Sequence, residues 1–150
     1  MRLFRPLRLI ALLLACVAVP AYAQATPSGA AIFARCTPCH QATGTGIPGA
    51  FPPLAGSSWV VGPVDRPIAI LLYGLQGPLT VSGGAYNGVM LPYGTNVVMT
   101  DAELAAVLTY IRTSWGNRAS PVTVADVVRV RAKTKGRTKP FSEAELRAVR

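Results

Sequence analysis

The chain has 150 residues, 51% of them hydrophobic, and this length accommodates one domain with short appendages. Its single histidine excludes a conventional zinc site with several histidine ligands. The formal net charge of +9 is unevenly distributed: residues 24–128 contain four basic and four acidic residues, whereas residues 129–150 contain eight basic and two acidic ones. No aromatic residue interleaves with the basic residues at 129–139, which argues against a nucleic-acid partner.

The first 23 residues have the organisation of a secretory signal peptide. A basic segment with Arg2, Arg5 and Arg8 precedes an apolar run at 9–19, which is shorter than the roughly 20 residues that span a bilayer. A small-x-small pattern ends at Ala23. We therefore expect cleavage after Ala23 and export, in a bacterium, to the periplasm.

Export would restrict the cysteines to one pair. Lipoprotein processing at Leu14-Ala15-Cys16 is the alternative to cleavage after Ala23, but the Ala23 site is better formed. Cleavage after Ala23 removes Cys16 and leaves Cys36 and Cys39 as the only thiols. Because the periplasm is oxidising, a free pair would tend to close there as a disulfide.

A short helix is predicted immediately before this pair. Thr26 or Ser28 offers an N-cap, and Ile32 and Phe33 provide the apolar positions. The glycine- and proline-rich stretch at 41–63 is predicted to be mostly loop. Such a stretch suits a chain that wraps around a ligand.

The cysteines lie in Cys36-Thr37-Pro38-Cys39-His40, the C-x-x-C-H pattern typical of covalent haem attachment. On one helical turn each sulfur can add to a haem vinyl group, and the imidazole of His40 then faces the iron. The motif therefore predicts one covalently attached haem c with His40 as an axial iron ligand. A thiol–disulfide oxidoreductase that uses Cys36 and Cys39 is the rival, but its usual βαβ context is absent from the sequence.

Methionine is the remaining soft donor for the second axial position of the iron. Met90 lies in a loop flanked by Gly88 and Pro92, which can be rigid and still direct a side chain inward. Met99 directly precedes the cap at Thr100, where apolar residues usually pack on the helix. We predict Met90 as the sixth ligand; a loosely held Met90 would instead give a five-coordinate haem enzyme or gas sensor.

Helical and hairpin patterns fill the middle of the chain. A helix is predicted from Arg66, and its apolar positions have helical spacing before Gly74 ends the pattern. These positions are Ile68, Leu71, Leu72 and Leu75. Residues 79–81 and 85–89 flank Ser82-Gly83-Gly84, which predicts a short hairpin.

Three helical patterns follow in the C-terminal part. Thr100 and Glu103 form a capping box, and a helix with one apolar side extends to Gly116-Asn117. A shorter apolar helix is predicted after Thr123, and one or two helical turns at 143–149. The whole pattern predicts an all-α protein of short helices and long loops, whose core a bound haem would complete.

These motifs together resemble class I cytochromes c. The matching parts occur in the order of that family, over residues 27–117: the Cys36–His40 motif, the Phe51–Gly56 loop, the Met90-x-Pro92-Tyr93 loop and the helix at 100–115. The sequence looks most similar to small exported cytochromes and to cytochrome subunits of bacterial dehydrogenases or oxidases. The resemblance implies the cytochrome c-like fold and a one-electron carrier rather than an enzyme, with a dehydrogenase or terminal oxidase as redox partner.

The same resemblance implies roles for further residues. The carbonyl of Pro52 would hold the proximal imidazole, and Leu54 would pack on the haem. The family packs its first and last core helices through one aromatic residue on each, and Tyr110 fits the last helix. The first helix departs from this pattern, because Ile32 stands four residues before the first cysteine and Phe33 only three.

The sequence thus divides into a signal peptide (1–23), a cytochrome c domain (24–118) and a basic C-terminal extension with short helical segments (119–150). Basic residues occupy alternate positions from Arg129 to Lys139, which would line one side of a strand but scatter around a helix. The extension is either a solvated tail along the domain or an electrostatic contact for an acidic redox partner or an anionic membrane.

Overall fold

The computed structural model describes residues 26–94 and 99–149. Within these ranges the elements are, in chain order, α1 (Gly29–Phe33), α2 (Thr37–His40), α3 (Ser58–Val61), α4 (Asp65–Tyr73), β1 (Leu75–Val81), β2 (Gly84–Met90), α5 (Asp101–Thr113), α6 (Val124–Lys133) and α7 (Glu143–Ala148). None of these helices is long and apolar enough to cross a membrane. The predicted signal peptide, with its alternative processing site at Cys16, lies outside the described residues.

Helix α1 crosses α5, the longest helix of the described chain, at close range. A Cβ at Gly29 would meet the carbonyl oxygen of Ala106 and lie 2.8 Å from Cβ of Tyr110. Phe33 fills the crossing, since its ring centroid lies 5.4 Å from that of Tyr110 and 5.0 Å from that of Trp115. The aromatic contact between the two helices therefore forms with Phe33, although this residue stands closer to the cysteines than expected.

Three helices begin with capping boxes, which fix where they start. The pairs are Thr100 and Glu103 for α5, Thr123 and Asp126 for α6, and Ser142 and Glu145 for α7. In each pair the hydroxyl accepts from the N–H three residues on, and the carboxylate accepts from the N–H of the cap. The first box is where the sequence predicts it, and the other two explain why the basic C-terminal segment is helical.

The hairpin is longer than predicted and is the only sheet in the described residues. Its strands pair antiparallel, with Leu75 opposite Met90 at the open end. The turn residues Ser82 and Gly83 both have positive φ, 50° and 81°, as a type I′ turn requires. Leu75, predicted as a helical position, belongs to β1 because Gly74, at φ 81°, ends α4. The rest of the architecture is helical, as predicted.

Residues 119–149 form part of the hydrophobic core. Val127, Val130, Phe141 and Leu146 are each at most 4% exposed. Helix α6 packs on α4 and α5, and α7 packs on α4 and β1. A solvated tail would leave these side chains in water, so the segment is packed on the rest of the domain as part of its core.

Ion pairs join this segment to the rest of the chain. The carboxylate of Asp65, which is 3% exposed, accepts from Arg129 at 2.7 Å and from Lys133 at 3.1 Å. Arg131 pairs with Asp101 at 2.6 Å. Two aspartates outside the C-terminal segment thus bind three of its basic residues at alternate positions. Such charge-assisted hydrogen bonds are stronger than those between neutral groups.

Candidate functional site

An apolar cleft lies between the Cys36–His40 turn and the hairpin. It has two lobes, of about 230 Å³ and about 80 Å³. Both lobes are lined by Cys36, His40, Pro52, Leu75, Leu79 and Met90. Cys39 lines the larger lobe and Leu54 the smaller one. The cleft therefore brings together all six residues that the sequence predicts for the site.

The C-x-x-C-H motif folds as one helical turn. Cys36 is the N-cap of α2, and its carbonyl accepts hydrogen bonds from the N–H groups of Cys39 (3.2 Å) and His40 (2.9 Å). Residues three and four apart lie on the same side of a helix. The turn thus directs both sulfurs and the imidazole to the same cleft.

The imidazole of His40 is oriented by the backbone of the following loop. Its Nδ1 lies 3.0 Å from the carbonyl oxygen of Pro52. A carbonyl can only accept, so Nδ1 donates and Nε2 keeps its lone pair for a metal. Burial lowers the pKa of His40 below its usual value, against the opposing effect of the Pro52 hydrogen bond. The ring is therefore neutral at neutral pH, the form that binds iron.

The loop at 41–56 makes this orientation possible through two glycines. Gly46 has φ 66°, and a Cβ there would lie 2.7 Å from the carbonyl oxygen of Pro52. The carbonyl of Gly44 accepts from the N–H groups of Leu54 (2.7 Å) and Ala55 (3.0 Å). The sequence predicts this stretch only as loop. The need for glycine at 46 follows from its positive φ and from the close approach of the Pro52 carbonyl, which only the folded structure shows.

The thiol chemistry of Cys36 is unfavourable for disulfide exchange. Burial raises the pKa of the Cys36 thiol to about 11, and the charge of the neighbouring Cys39 contributes a smaller part of this increase. Reactive cysteines of thiol–disulfide oxidoreductases have lowered pKa values instead. In the described residues the sheet is a two-stranded antiparallel hairpin, which does not provide a βαβ unit. Both observations argue against the thiol–disulfide alternative.

The two candidate methionines lie in different environments. Met90, the last residue of β2, is partly buried and lines both lobes. The loop after it is held by the carbonyl of Leu71, which accepts from the N–H groups of Tyr93 (2.8 Å) and Gly94 (3.1 Å). Met99 is 4% exposed, packs in the core and lines neither lobe of this cleft.

The sequence did not predict that the hairpin forms one wall of the cleft. Leu75 and Leu79 line both lobes, and Tyr86 and Val89 line the larger one. Buried residues at 75, 79 and 81 follow the two-residue period of a half-buried strand. This two-residue period could have indicated a strand from Leu75, but the Gly77-Pro78 pair favours the end of a helix instead.

Helices that surround an apolar cleft, with paired cysteines and a backbone-oriented histidine on one turn, are the features of a c-type cytochrome. A model of the family described as cytochrome c matches residues 27–115. A cytochrome c-552 of Thermus thermophilus is 45% identical over 120 residues, which cover 74% of this chain and 79% of that protein.

A second relative is a subunit of a larger assembly. The cytochrome c subunit of a quinone alcohol dehydrogenase from Gluconacetobacter polyoxogenes is 37% identical over 99 residues, which cover 65% of this chain and 20% of that subunit.

The chain belongs to the cytochrome c family. Its cofactor is accordingly a covalently attached haem c with its iron, and its general function is electron transfer. The residues present fit such a group: the lining is mostly apolar, and the donor atoms are two cysteine sulfurs, an imidazole nitrogen and a thioether.

Proposed function

We propose that this protein is an exported monohaem electron carrier in which His40 and Met90 hold the iron. The observation that carries the proposal is the convergence of Cys36, Cys39, His40 and Met90 on one apolar cleft. A haem c bound there supplies one-electron exchange through its iron. With His40 and Met90 both holding the iron, the site would leave no place for a substrate.

Each residue has a separate task in this arrangement. Cys36 and Cys39 would form the thioether bonds to the haem, and His40 would bind the iron through Nε2 while Nδ1 donates to the Pro52 carbonyl. That hydrogen bond fixes the tautomer and makes the ligating nitrogen more basic. Leu54, which lines the smaller lobe, would pack on the bound haem. The soft sulfur of Met90 favours ferrous iron and raises the reduction potential.

The way Met90 is held favours a carrier over a five-coordinate enzyme or sensor. Its backbone pairs with Leu75 on one side, and the loop that follows is bonded to Leu71 on the other. A backbone that is held on both sides keeps Met90 at the cleft, within reach of a bound haem. Small ligands such as carbon monoxide would therefore bind the ferrous protein slowly.

Two matched substitutions test the ligation. Met90→Leu removes the sulfur from the cleft, and Met99→Leu removes a sulfur from the core with the same change of side chain. We expect Met90→Leu to lose the sulfur-to-iron charge-transfer band, bind carbon monoxide and have a lower reduction potential. Met99→Leu should keep the parental spectrum. A parental spectrum and potential in Met90→Leu would refute ligation by Met90.

Export and processing are tested on the N-terminus of the purified protein. Cleavage after Ala23 gives a chain that begins with Gln24, whereas lipoprotein processing gives an acylated Cys16. We expect the intact mass of the periplasmic fraction to correspond to a chain starting at Gln24 with one haem. An acylated species in the membrane fraction would support the lipoprotein alternative instead.

The redox partner is proposed from the relatives. A relative that is a subunit of a quinone alcohol dehydrogenase supports a dehydrogenase as redox partner. A terminal oxidase is the electron acceptor that we propose beside it. The basic extension would contact an acidic partner or an anionic membrane through its exposed cations, such as Lys135 and Lys139. Arg129 and Arg131 are less suited, because they already bind carboxylates of the domain.

A further inference from the structure

The edge of β1 that faces away from β2 is covered by the C-terminal segment. Phe141 forms an isolated parallel bridge with Leu75. The N–H of Gln76 donates to the Phe141 carbonyl (2.9 Å), and the N–H of Phe141 donates to the Gly74 carbonyl (3.0 Å). On its other edge Leu75 is the cross-strand partner of Met90. Three backbones therefore lie side by side at this level, with Leu75 between Phe141 and Met90.

The sequence of β1 suits an edge that is contacted at two points. The N–H of Thr80 donates to the carboxylate of Glu143 (3.1 Å), and its carbonyl accepts from the indole N–H of Trp59 (2.9 Å). Pro78, between Gln76 and Thr80, has no N–H to satisfy. A proline is tolerated in a strand where its nitrogen faces away from the partner strand. The C-terminal segment therefore binds both N–H groups that point outward from this part of β1.

Phe141 is anchored by contacts that do not involve the hairpin. The side chain is 4% exposed, and its ring meets that of Tyr73 edge-on with centroids 6.1 Å apart. The guanidinium of Arg137 lies 3.6 Å from the centroid of the Phe141 ring. Arg137 also donates to the carbonyl of Pro140 (2.8 Å) and pairs with Glu145 (3.0 Å). The bridge thus joins the hairpin to a fixed point of the fold.

We infer that Phe141 is a positioning residue for Met90. A two-stranded ribbon is only marginally stable by itself in water, and Met90 is the last residue of this one. The bridge holds β1 at Leu75, and the pairing of Leu75 with Met90 holds the thioether sulfur in the cleft. The inference rests on the proposed ligation by Met90. When the bridge is lost, the end of the hairpin moves and a larger fraction of molecules has the sulfur detached.

The test uses the haem-loaded protein and two signals that depend on the sulfur. These are the charge-transfer band of the ferric form and the rate of carbon monoxide binding to the ferrous form. Phe141→Ala removes the anchor, and Val127→Ala is the matched control because Val127 is fully buried in α6, which packs on α4 and α5. We expect Phe141→Ala to weaken the band and speed binding by roughly two- to tenfold, the effect of about one backbone hydrogen bond. Val127→Ala should lower the melting temperature and leave both signals parental.

A second pair of variants addresses the backbone directly. Gln76→Pro removes the N–H that donates to Phe141, whereas Gln76→Ala keeps it, and the side chain of Gln76 is exposed. We expect the proline variant to show the sulfur effect and the alanine variant to show none. If Phe141→Ala fails to fold, this pair decides the question.

Equal shifts in Phe141→Ala and Val127→Ala would overturn the positioning role, because they would reflect stability alone. Parental signals in both Phe141→Ala and Gln76→Pro would overturn it as well. Met90→Leu separates this inference from the proposed ligation. A parental band in Met90→Leu refutes the ligation itself. Loss of the band there, with parental behaviour at Phe141 and Gln76, refutes the positioning role only.

Discussion

The two walls of the cleft are held by contacts of different range. On one wall, His40 is bonded to Cys36, four residues away, and to Pro52, twelve residues away. On the other wall, the hairpin that carries Met90 is bonded to the C-terminal segment, since the N–H of Thr80 donates to Glu143, 63 residues away. The His40 turn can form within its own segment, although Trp115 and Asn117 also bind the loop that follows it. The outer edge of the hairpin needs the C-terminal segment in place. We therefore expect loss of the C-terminal segment, rather than loss of stability in general, to release the proposed ligand Met90 before His40.

Truncation after Val128 should have the largest effect, because it removes the remote support completely. It deletes Val130, Phe141 and Leu146 from the core and Arg129 from its bond to Asp65. Burial of one Leu or Phe typically stabilises by about 2–5 kcal/mol, and a domain has roughly 5–15 kcal/mol in total. We expect the truncated chain to lose most of its cooperative thermal transition, measured by circular dichroism.

The control for this truncation keeps the core and removes only charge. Lys135→Gln and Lys139→Gln in the full chain alter two exposed side chains. We expect their melting temperature to stay within a degree or two of the parent, since most surface substitutions change stability by less than about 0.5 kcal/mol. A truncated chain that melts like the parent would show that the C-terminal segment is dispensable for the second wall.

Gly29→Ala should have the next largest effect, and it acts beside the first wall. The added methyl would collide with backbone of α5 at Ala106, so α1 must shift away from its partner helix. Overpacking of this kind costs about 1–3 kcal/mol, or roughly 4 °C of melting temperature per kcal/mol. Because Met90 is held elsewhere, the sulfur-to-iron band of the haem-loaded variant should remain.

Gly88→Ala is the matched glycine control. No protein atom lies within 4 Å of a Cβ built at Gly88, which is exposed on β2 and lines the larger lobe of the cleft. We expect a smaller change of melting temperature than for Gly29→Ala, since the methyl group meets no protein atom and alanine restricts the unfolded chain. Equal destabilisation by both substitutions would contradict the close helix crossing at Gly29.

The first wall could be predicted from the sequence because its determinants are local. Five consecutive residues specify the Cys36–His40 turn, and the capping box at Thr100 specifies the start of α5. The helical apolar spacing likewise located α4 and the last two helices, although it included Leu75, two residues beyond the end of α4 at Tyr73. Local rules of this kind need no knowledge of the rest of the chain.

The support of the second wall could not be predicted, because nothing local pairs β1 with residue 141. The alternate basic residues from Arg129 would line one side only of an extended chain, yet the capping box at Thr123 and the buried carboxylate of Asp65 stabilise a helix there. Tertiary contacts thus decided the conformation of this segment. The assignment of Met90 rested on a loop argument and stays a prediction, although the residue lies at the end of a strand that lines the cleft.

Acid should weaken the C-terminal segment by a smaller amount. Hydrogen bonds from Thr123 and Arg129 lower the pKa of Asp126 from 3.8 to about 2, and bonds from Ser142 and Arg137 lower that of Glu145 from 4.5 to about 2. A carboxyl whose pKa is lower when folded stabilises the fold above its unfolded pKa and loses this contribution as pH falls. The loss therefore falls between pH 4.5 and about 2.

Neutral variants reveal this acid effect. We expect the melting temperature of the parent to exceed that of the double variant Asp126→Asn and Glu145→Gln at pH 6, with the gap closing between pH 4.5 and about 2. Both carboxylates are exposed to solvent screening, so the gap should be modest. A gap of constant size over that range would contradict the two lowered pKa values.

The smallest effect is expected from the exposed cations, which touch neither wall. Lys135 and Lys139 are exposed, while Arg129 and Arg131 bind Asp65 and Asp101. If the exposed pair steers a partner, Lys135→Gln with Lys139→Gln should slow oxidation of the reduced protein by respiratory membranes at low ionic strength. Because salt screens such charges beyond about 10 Å at 0.1 M, the rates should converge as salt is added. The charge-preserving variants Lys135→Arg and Lys139→Arg should keep the parental salt slope, and identical slopes in all three proteins would assign the excess charge of the segment to its internal ion pairs alone.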